Sequence, residues 1–65
     1  MAEKLAYRVA EAAEAIGVSR AKAYELIGAG TLPSIRIGSS LRVPVDALRA
    51  WIARRLAEQQ GVESR

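Results

Sequence analysis

The sequence predicts one small, mainly α-helical domain of three helices and a two-stranded β-ribbon. Three observations predict it: two apolar stripes at helical spacing around a tight glycine turn, an alternating segment with a small-residue tip, and a third helical stripe after a proline. The length of 65 residues suits a single domain with a thin core. We expect that domain to span residues 1–65, with its globular part at about 5–58 and a frayed C-terminal tail at about 61–65.

The first two helices are predicted from apolar spacing and from the residues at their ends. The segment Leu5–Arg8 alternates and is typical of either a lone strand or an extended lead-in. Residues 9–16 place apolar side chains on one helical stripe, and Gly17 ends the helix as a left-handed cap would. Ser19 is a good N-cap for a second helix that ends near Gly28. Two short helices joined this tightly indicate a helix-turn-helix unit or, equally, an ordinary helical hairpin.

A β-ribbon follows the second helix. Ile35–Ile37 and Leu41–Val43 alternate on either side of a three-residue turn, Gly38-Ser39-Ser40. This pairing predicts that Arg36 and Arg42 face outward, while the four apolar residues of the ribbon pack on the helices. Because a two-stranded ribbon is unstable alone, it must lie against the helical part of the domain.

A third helix is predicted after the ribbon. Pro44 pre-sets its start, with Asp46 either capping it or lying in its first turn. The helix is expected to continue to about Gln60, where Gly61 stops it. Arg55 falls on the line of the apolar stripe. Either the last two turns project beyond the core, or Arg55 snorkels to the edge of the core.

The composition excludes several classes of function. Cys and His are both absent, so disulfides, thiolate nucleophiles, zinc sites and imidazole acid–base chemistry are excluded. We therefore expect no enzyme, no metal and no cofactor. No apolar run is long enough for a membrane span or a signal peptide, so we expect the cytoplasm. The formal charge of +3, with eight arginines among ten cations, favours phosphates and base edges as partners.

The candidate DNA-binding residues lie at the start of the second helix and on the ribbon. Arg20 and Lys22 flank the outward face of the helix, whose free N–H groups also attract anions. Glu25, one turn later, either accepts from a cytosine amino group or stays clear of the duplex. Each cation is also explained as ordinary solvated surface, but a cationic helix start followed by a cationic ribbon favours DNA. The predicted DNA-binding residues are Ser19, Arg20, Ala21, Lys22, Tyr24, Arg36, Ser39, Ser40 and Arg42.

Several short motifs cover most of the chain. They are the run Tyr7–Arg20, then Tyr24, Gly30-Thr31-Leu32-Pro33, Arg42-Val43-Pro44 and Leu48-Arg49-Ala50-Trp51. Together, over residues 7–52, they resemble the excisionase-type winged-helix proteins, a branch of the MerR-like superfamily. The resemblance implies a winged helix-turn-helix that binds DNA, with Arg36–Arg42 as the wing and Ser19, Arg20, Lys22 and Tyr24 on the recognition helix.

The resemblance also sets the functional expectations. It implies a phage or mobile-element excisionase in a bacterial host's cytoplasm or nucleoid: several copies bind adjacent DNA sites cooperatively, bend the duplex and help an integrase to excise it. Lys22 departs from the threonine of many members. With no coiled coil or ligand domain in the sequence, we expect a stand-alone excisionase rather than an effector-sensing regulator.

Other readings stay open. A small transcription regulator would use the same DNA-binding surface. An adaptor that binds other proteins would need an exposed apolar groove, for which the sequence offers only Leu56. The projecting end of the third helix is either a solvated helix end or a surface for a neighbouring copy or the integrase. Its candidate contact residues are Arg54, Arg55, Leu56 and Glu58.

Overall fold

The secondary structure is that of a winged helix-turn-helix. The computed structural model describes residues 4–63, with side chains described as far as Gln60. In chain order its elements are β1 (Ala6–Arg8), α1 (Val9–Ile16), α2 (Arg20–Gly28), β2 (Ile35–Ile37), β3 (Ser40–Pro44) and α3 (Val45–Glu63). The predicted fold class, mainly helical with three helices and a small β-wing, is confirmed.

Local end signals place α1 and α2 where the sequence predicts them. Gly17 ends α1 in the left-handed conformation at φ 79°, and its N–H donates to the carbonyls of Ala13 and Glu14. At the start of α2, the hydroxyl of Ser19 accepts from the backbone N–H of Lys22 at 3.1 Å. The turn between the helices is short because the end of α1 and the start of α2 each form their capping hydrogen bonds with residues close by in sequence.

The sheet has three strands rather than the two predicted. Its order is β1-β3-β2, with both neighbouring pairs antiparallel. The segment predicted as a lone strand or an extended lead-in is the strand β1, which pairs with β3 so that Ala6 lies opposite Pro44 and Arg8 opposite Arg42. The N–H of Val45 also donates to the carbonyl of Leu5 at 2.9 Å, which holds the start of the chain against the start of α3.

The turn at the wing tip is one residue shorter than predicted. Ile37 pairs with Ser40, so the turn consists of Gly38 and Ser39, and Ser40 belongs to β3. Gly38 has a positive φ of 62°, whereas the φ of Ser39 is not positive. A positive φ at the first central residue alone is the pattern of a type II′ hairpin turn, which favours glycine there.

This change of register reverses the predicted faces of β2. Arg36 lies opposite Leu41 and therefore shares the face of Leu41, whereas Ile35 lies opposite Arg42. The prediction that all four apolar ribbon residues pack on the helices is wrong for β2, since Ile35 is 46% exposed and Ile37 is 58% exposed. The prediction that both ribbon arginines share one outer face is also wrong.

The core is small and lies where the sheet meets the helices. Val43 of β3 is fully buried and is the largest side chain in that state among the described residues. The other buried residues are Val9, Ala12, Ala13, Ala23, Leu32 and Leu48. Three of these are alanines, which allow α1 and α2 to approach closely but contribute little apolar area.

The helix α3 is longer than predicted. It begins at Val45 with Asp46 in its first turn, and it continues through Gly61 to Glu63 rather than stopping at Gly61. Glycine costs only about 1 kcal/mol relative to alanine inside a helix, so it does not by itself end one. Of the predicted tail at 61–65, residues 64 and 65 lie outside the described residues.

The second half of α3 projects from the body of the domain. Every side chain from Ile52 to Gln60 is exposed. The guanidinium of Arg55 lies 5.4 Å from the ring centroid of Trp51, close enough for a cation–π contact. Both predictions for the end of α3 therefore hold. The last turns project, and the Arg55 side chain packs on Trp51 at the edge of the core.

Candidate nucleic-acid interface

An open groove of about 610 Å³ brings basic residues together from three parts of the fold. These parts are the junction of β1 and α1, the first turns of α2, and the ribbon formed by β2 and β3. The lining residues are Arg8, Val9, Ala10, Arg20, Tyr24, Arg36, Ser39, Ser40, Leu41 and Arg42. We call this site the arginine groove. Four of its described lining residues are arginines and none is acidic, so the groove concentrates positive charge.

Six of the nine predicted DNA-binding residues line the arginine groove. These six are Arg20, Tyr24, Arg36, Ser39, Ser40 and Arg42. The helix α2 and the ribbon are separate in sequence, yet their candidate residues meet at one site. Ser19, Ala21 and Lys22 are exposed at the start of α2 but do not line the groove.

The side chains of α2 divide between two sides of the helix. Arg20 and Tyr24 are four residues apart, so they lie on the same side and both line the arginine groove. Tyr24 is 51% exposed, which leaves its ring accessible to a ligand. On another side, the Lys22 ammonium lies 3.5 Å from the Glu25 carboxylate. This ion pair offsets part of the charge that Lys22 was predicted to offer to DNA.

The ribbon arginines differ in how firmly they are held. Arg42 is half-buried, and its Nη1 donates to the carbonyl oxygen of Leu41 at 2.9 Å. That hydrogen bond orients the guanidinium without neutralising it. Arg36 is exposed and reaches the groove from the other face of the ribbon. At the tip Ser39 is exposed, whereas Ser40 is half-buried within β3.

Arg8 lines the groove but is not among the DNA-binding residues predicted from the sequence. It precedes α1 and lies directly opposite Arg42 in the β1–β3 pair. Its backbone N–H donates to the Glu11 carboxylate at 2.9 Å, and Glu11 also pairs with the Lys4 ammonium. The hydrogen bond from Lys4, followed by that from the Arg8 backbone, lowers the pKa of Glu11. Only a predicted pairing of the first strand with the ribbon would have placed Arg8 in the site.

A second groove, of about 400 Å³, lies on the α3 side of the domain. We call it the apolar groove. Its lining residues are Ala15, Ile16, Val18, Leu26, Trp51, Ile52 and Arg55. The sequence predicts only Leu56 as exposed apolar surface for a partner protein. That expectation is wrong, since Leu56 is 58% exposed but does not line this groove, whereas 43%-exposed Ile52 does.

The other predicted contact residues on α3 are also accessible. Arg54, Arg55 and Glu58 are all exposed. Within residues 4–60, whose side chains the structure describes, no cluster of three or more acidic side chains is arranged to hold a metal ion. In that same stretch, no helix has the length and apolar character needed to cross a membrane.

Comparisons with known proteins agree with this architecture. Residues 6–56 match the protein family described as "Helix-turn-helix domain". The chain is 41% identical over 51 residues to a "Probable excisionase" of Saccharopolyspora erythraea. That match covers 78% of this chain and 52% of the relative, so the chain spans about half the length of the curated relative it matches. No solved structure matches the chain significantly. Because the family match covers well over half of its residues, the chain belongs to the helix-turn-helix domain family.

Proposed function

We propose that this chain is an excisionase-like DNA-binding protein without catalytic activity. The observation that carries the proposal is the convergence of Arg8, Arg20, Arg36 and Arg42 in one groove with no acidic lining residue among those described. Arginine suits phosphates and base edges because its planar fork of donors stays charged and binds two acceptors at once. Similarity to a probable excisionase supports DNA as the partner. With DNA as its partner, the protein acts in a bacterial cytoplasm or nucleoid.

The fold suggests how a duplex is bound. The first turn of α2 enters the major groove, where its free backbone N–H groups and Arg20 meet phosphates or base edges. Ala21 is exposed beside Arg20 and is small enough to allow a close approach. The wing then lies along the adjacent backbone, with Ser39 donating to phosphate oxygens and Arg36 entering the neighbouring minor groove.

A domain this small binds weakly as a single copy. Several copies therefore bind adjacent DNA sites together, because contacts between neighbouring copies raise their combined affinity for the DNA. Bending a short site costs about 1–6 kcal/mol, which the basic groove of each copy offsets. The bent, multiply occupied site is what an integrase then recognises during excision.

The projecting half of α3 is the surface proposed for protein contacts. It is exposed along its whole described length and carries the apolar Leu56 among charged residues. The predicted contact set is Arg54, Arg55, Leu56 and Glu58. The apolar groove beside it adds Ile52 and the face of Trp51, which is why a contact with a neighbouring copy or an integrase is favoured here over a plain solvated helix end.

The alternative function is a small transcription regulator, which would use the same arginine groove. The deciding experiment is a gel-shift titration on the DNA that flanks the chain's own gene. An excisionase-like protein gives a ladder of several cooperative complexes on a long fragment. A single complex at every protein concentration favours the regulator, and no complex at low salt overturns DNA binding altogether.

A truncated chain separates the DNA surface from the protein surface. A variant ending at Ile52 removes the projecting half of α3 but keeps the arginine groove. We expect it to bind a single-site duplex as the full chain does, while losing the higher complexes on the long fragment. The matched control is Glu14→Gln, an exposed change on α1 that should alter neither measurement. Equal loss of both kinds of complex would show that α3 serves the fold or the DNA instead.

A further inference from the structure

The β1–β3 pair places two arginines directly opposite each other. Arg8 and Arg42 are register partners, and both line the arginine groove. Side chains at such positions have Cβ atoms about 4.5–5.5 Å apart, and like charges there are destabilising. The fold therefore places two cationic side chains side by side on one face of the sheet, an arrangement that costs stability.

No carboxylate among the described side chains neutralises this pair. The ion pairs found in that part of the chain join Lys4 to Glu11 and Lys22 to Glu25. Glu11 is close to the backbone of Arg8, but its carboxylate is shared between that backbone N–H and the Lys4 ammonium. Arg42 donates only to a neutral carbonyl oxygen. The two guanidinium charges are thus left for a ligand.

The surroundings of the pair offer further donors to an anion. Val9 and Ala10 form the first turn of α1 and line the same groove. Backbone N–H groups in a first helical turn have no acceptor within their own helix. Ser40, two residues before Arg42 on the same strand face, adds a hydroxyl to the lining. Two forked cations with nearby N–H and O–H donors match the several oxygens of a phosphate group.

We propose that Arg8 and Arg42 form a clamp for one phosphate of the DNA backbone. The clamp fixes the position of the protein on the duplex without reading sequence, whereas the start of α2 reads the bases. The inference rests on the proposed function for its duplex. The phosphate site itself, however, exists in the free protein and is testable without DNA.

The first test measures thermal unfolding in inorganic phosphate and in chloride at equal ionic strength. Phosphate at about five times its dissociation constant raises the Tm of the wild type by about 4–8 °C. Arg8→Gln abolishes that rise and does not lower the Tm in chloride, since it removes a like-charge contact. Arg49→Gln, an exposed change on α3 outside the groove, keeps the wild-type response. A phosphate response in Arg8→Gln equal to that of the wild type overturns the clamp.

A second variant guards against loss of the fold. If Arg8→Gln does not fold, Arg42→Gln and Arg8→Lys give the same information. Arg42→Gln must lose the phosphate response, and Arg8→Lys must weaken it because an ammonium lacks the two-pronged geometry. A full response in either folded variant contradicts the proposal.

The second test uses DNA and separates the clamp from the proposed function. Arg8→Gln weakens binding to a target duplex and to a scrambled duplex by the same factor, and the double variant Arg8→Gln/Arg42→Gln, which removes both cations from the clamped phosphate, reduces the slope of log affinity against log salt by about 0.9. If the wild type binds DNA but Arg8→Gln is unchanged on both duplexes, the clamp fails alone. If the wild type stabilises with phosphate yet binds no duplex, the proposed function fails and the anion site remains.

Discussion

The salt dependence of DNA binding follows from the number of phosphates that the groove arginines neutralise. Arg8, Arg20, Arg36 and Arg42 line the site, and each neutralised phosphate contributes about 0.9 to the slope of log affinity against log salt. Because Arg8 and Arg42 share one phosphate, the four arginines make three contacts, which give a slope of about −2.7 and about a 40-fold loss of affinity between roughly 50 and 200 mM salt. Fluorescence anisotropy titrations of a labelled duplex at several salt concentrations measure it.

One substitution tests whether the groove is the source of this slope. Arg36 is exposed and reaches the groove from the ribbon, so Arg36→Gln removes one contact without disturbing the core. The slope should become about −1.8, and the loss over the same salt range should fall to about 12-fold. Arg49→Gln, equally exposed but outside the groove, should leave the slope at its wild-type value. A wild-type slope shallower than about −1, or an equal change in both variants, would refute the reasoning.

Three further outcomes are expected. Glu25→Gln releases Lys22 from its ion pair at 3.5 Å, so DNA affinity at low salt should rise about two- to fivefold in the same anisotropy assay. Hydrogen bonds from Lys4 and from the Arg8 backbone lower the pKa of Glu11 below its ordinary value of 4.5. The ionised carboxylate therefore stabilises the fold above pH 4.5, and this stabilisation is lost as the pH falls through the lowered pKa. Urea unfolding of Glu11→Gln should therefore depend less on pH below that value. Val43→Ala empties the fully buried centre of the core and should lower the free energy of unfolding by about 2–3 kcal/mol.

Each of these outcomes has a matched control. Glu14→Gln removes an exposed acidic charge on α1, outside the arginine groove, and should not change DNA affinity at low salt, unlike Glu25→Gln. Ala15→Ser is an uncharged change on the exposed side of α1 and should keep the wild-type pH dependence. Ile35→Ala removes a 46%-exposed side chain and should cost much less stability than Val43→Ala. A reversed order in any pair would contradict the structural explanation for that pair.

The helical part of the fold was predictable because its signals are local. Gly17 and Ser19 satisfy backbone groups within a few residues of themselves, so their effect does not depend on distant parts of the chain. The turn of the ribbon was less determined, since Gly38-Ser39-Ser40 fits both a two-residue and a three-residue loop. One residue of difference decided which side of the wing Ile35 and Arg36 occupy.

The candidate site was predictable to the extent that it is made of local motifs. Arg20 and Tyr24 were found from the helical wheel. Arg8 was not, because it joins the groove through pairing with a strand more than thirty residues away. The diversion of Lys22 to Glu25 was visible in principle, since oppositely charged residues three apart on a helix are neighbours. The charge that Lys22 offers to DNA is therefore set by its neighbour Glu25 as well as by its own place on the helix.

Trp51 is the only tryptophan in the chain, and it sits beneath Arg55 on α3 rather than in the arginine groove. Its fluorescence emission maximum therefore reports the polarity around the apolar groove and does not respond to a ligand in the arginine groove. A bound single-site duplex leaves the emission maximum unchanged, whereas a protein bound in the apolar groove shifts it to shorter wavelength. Intrinsic tryptophan fluorescence thus distinguishes DNA binding from protein binding without a label.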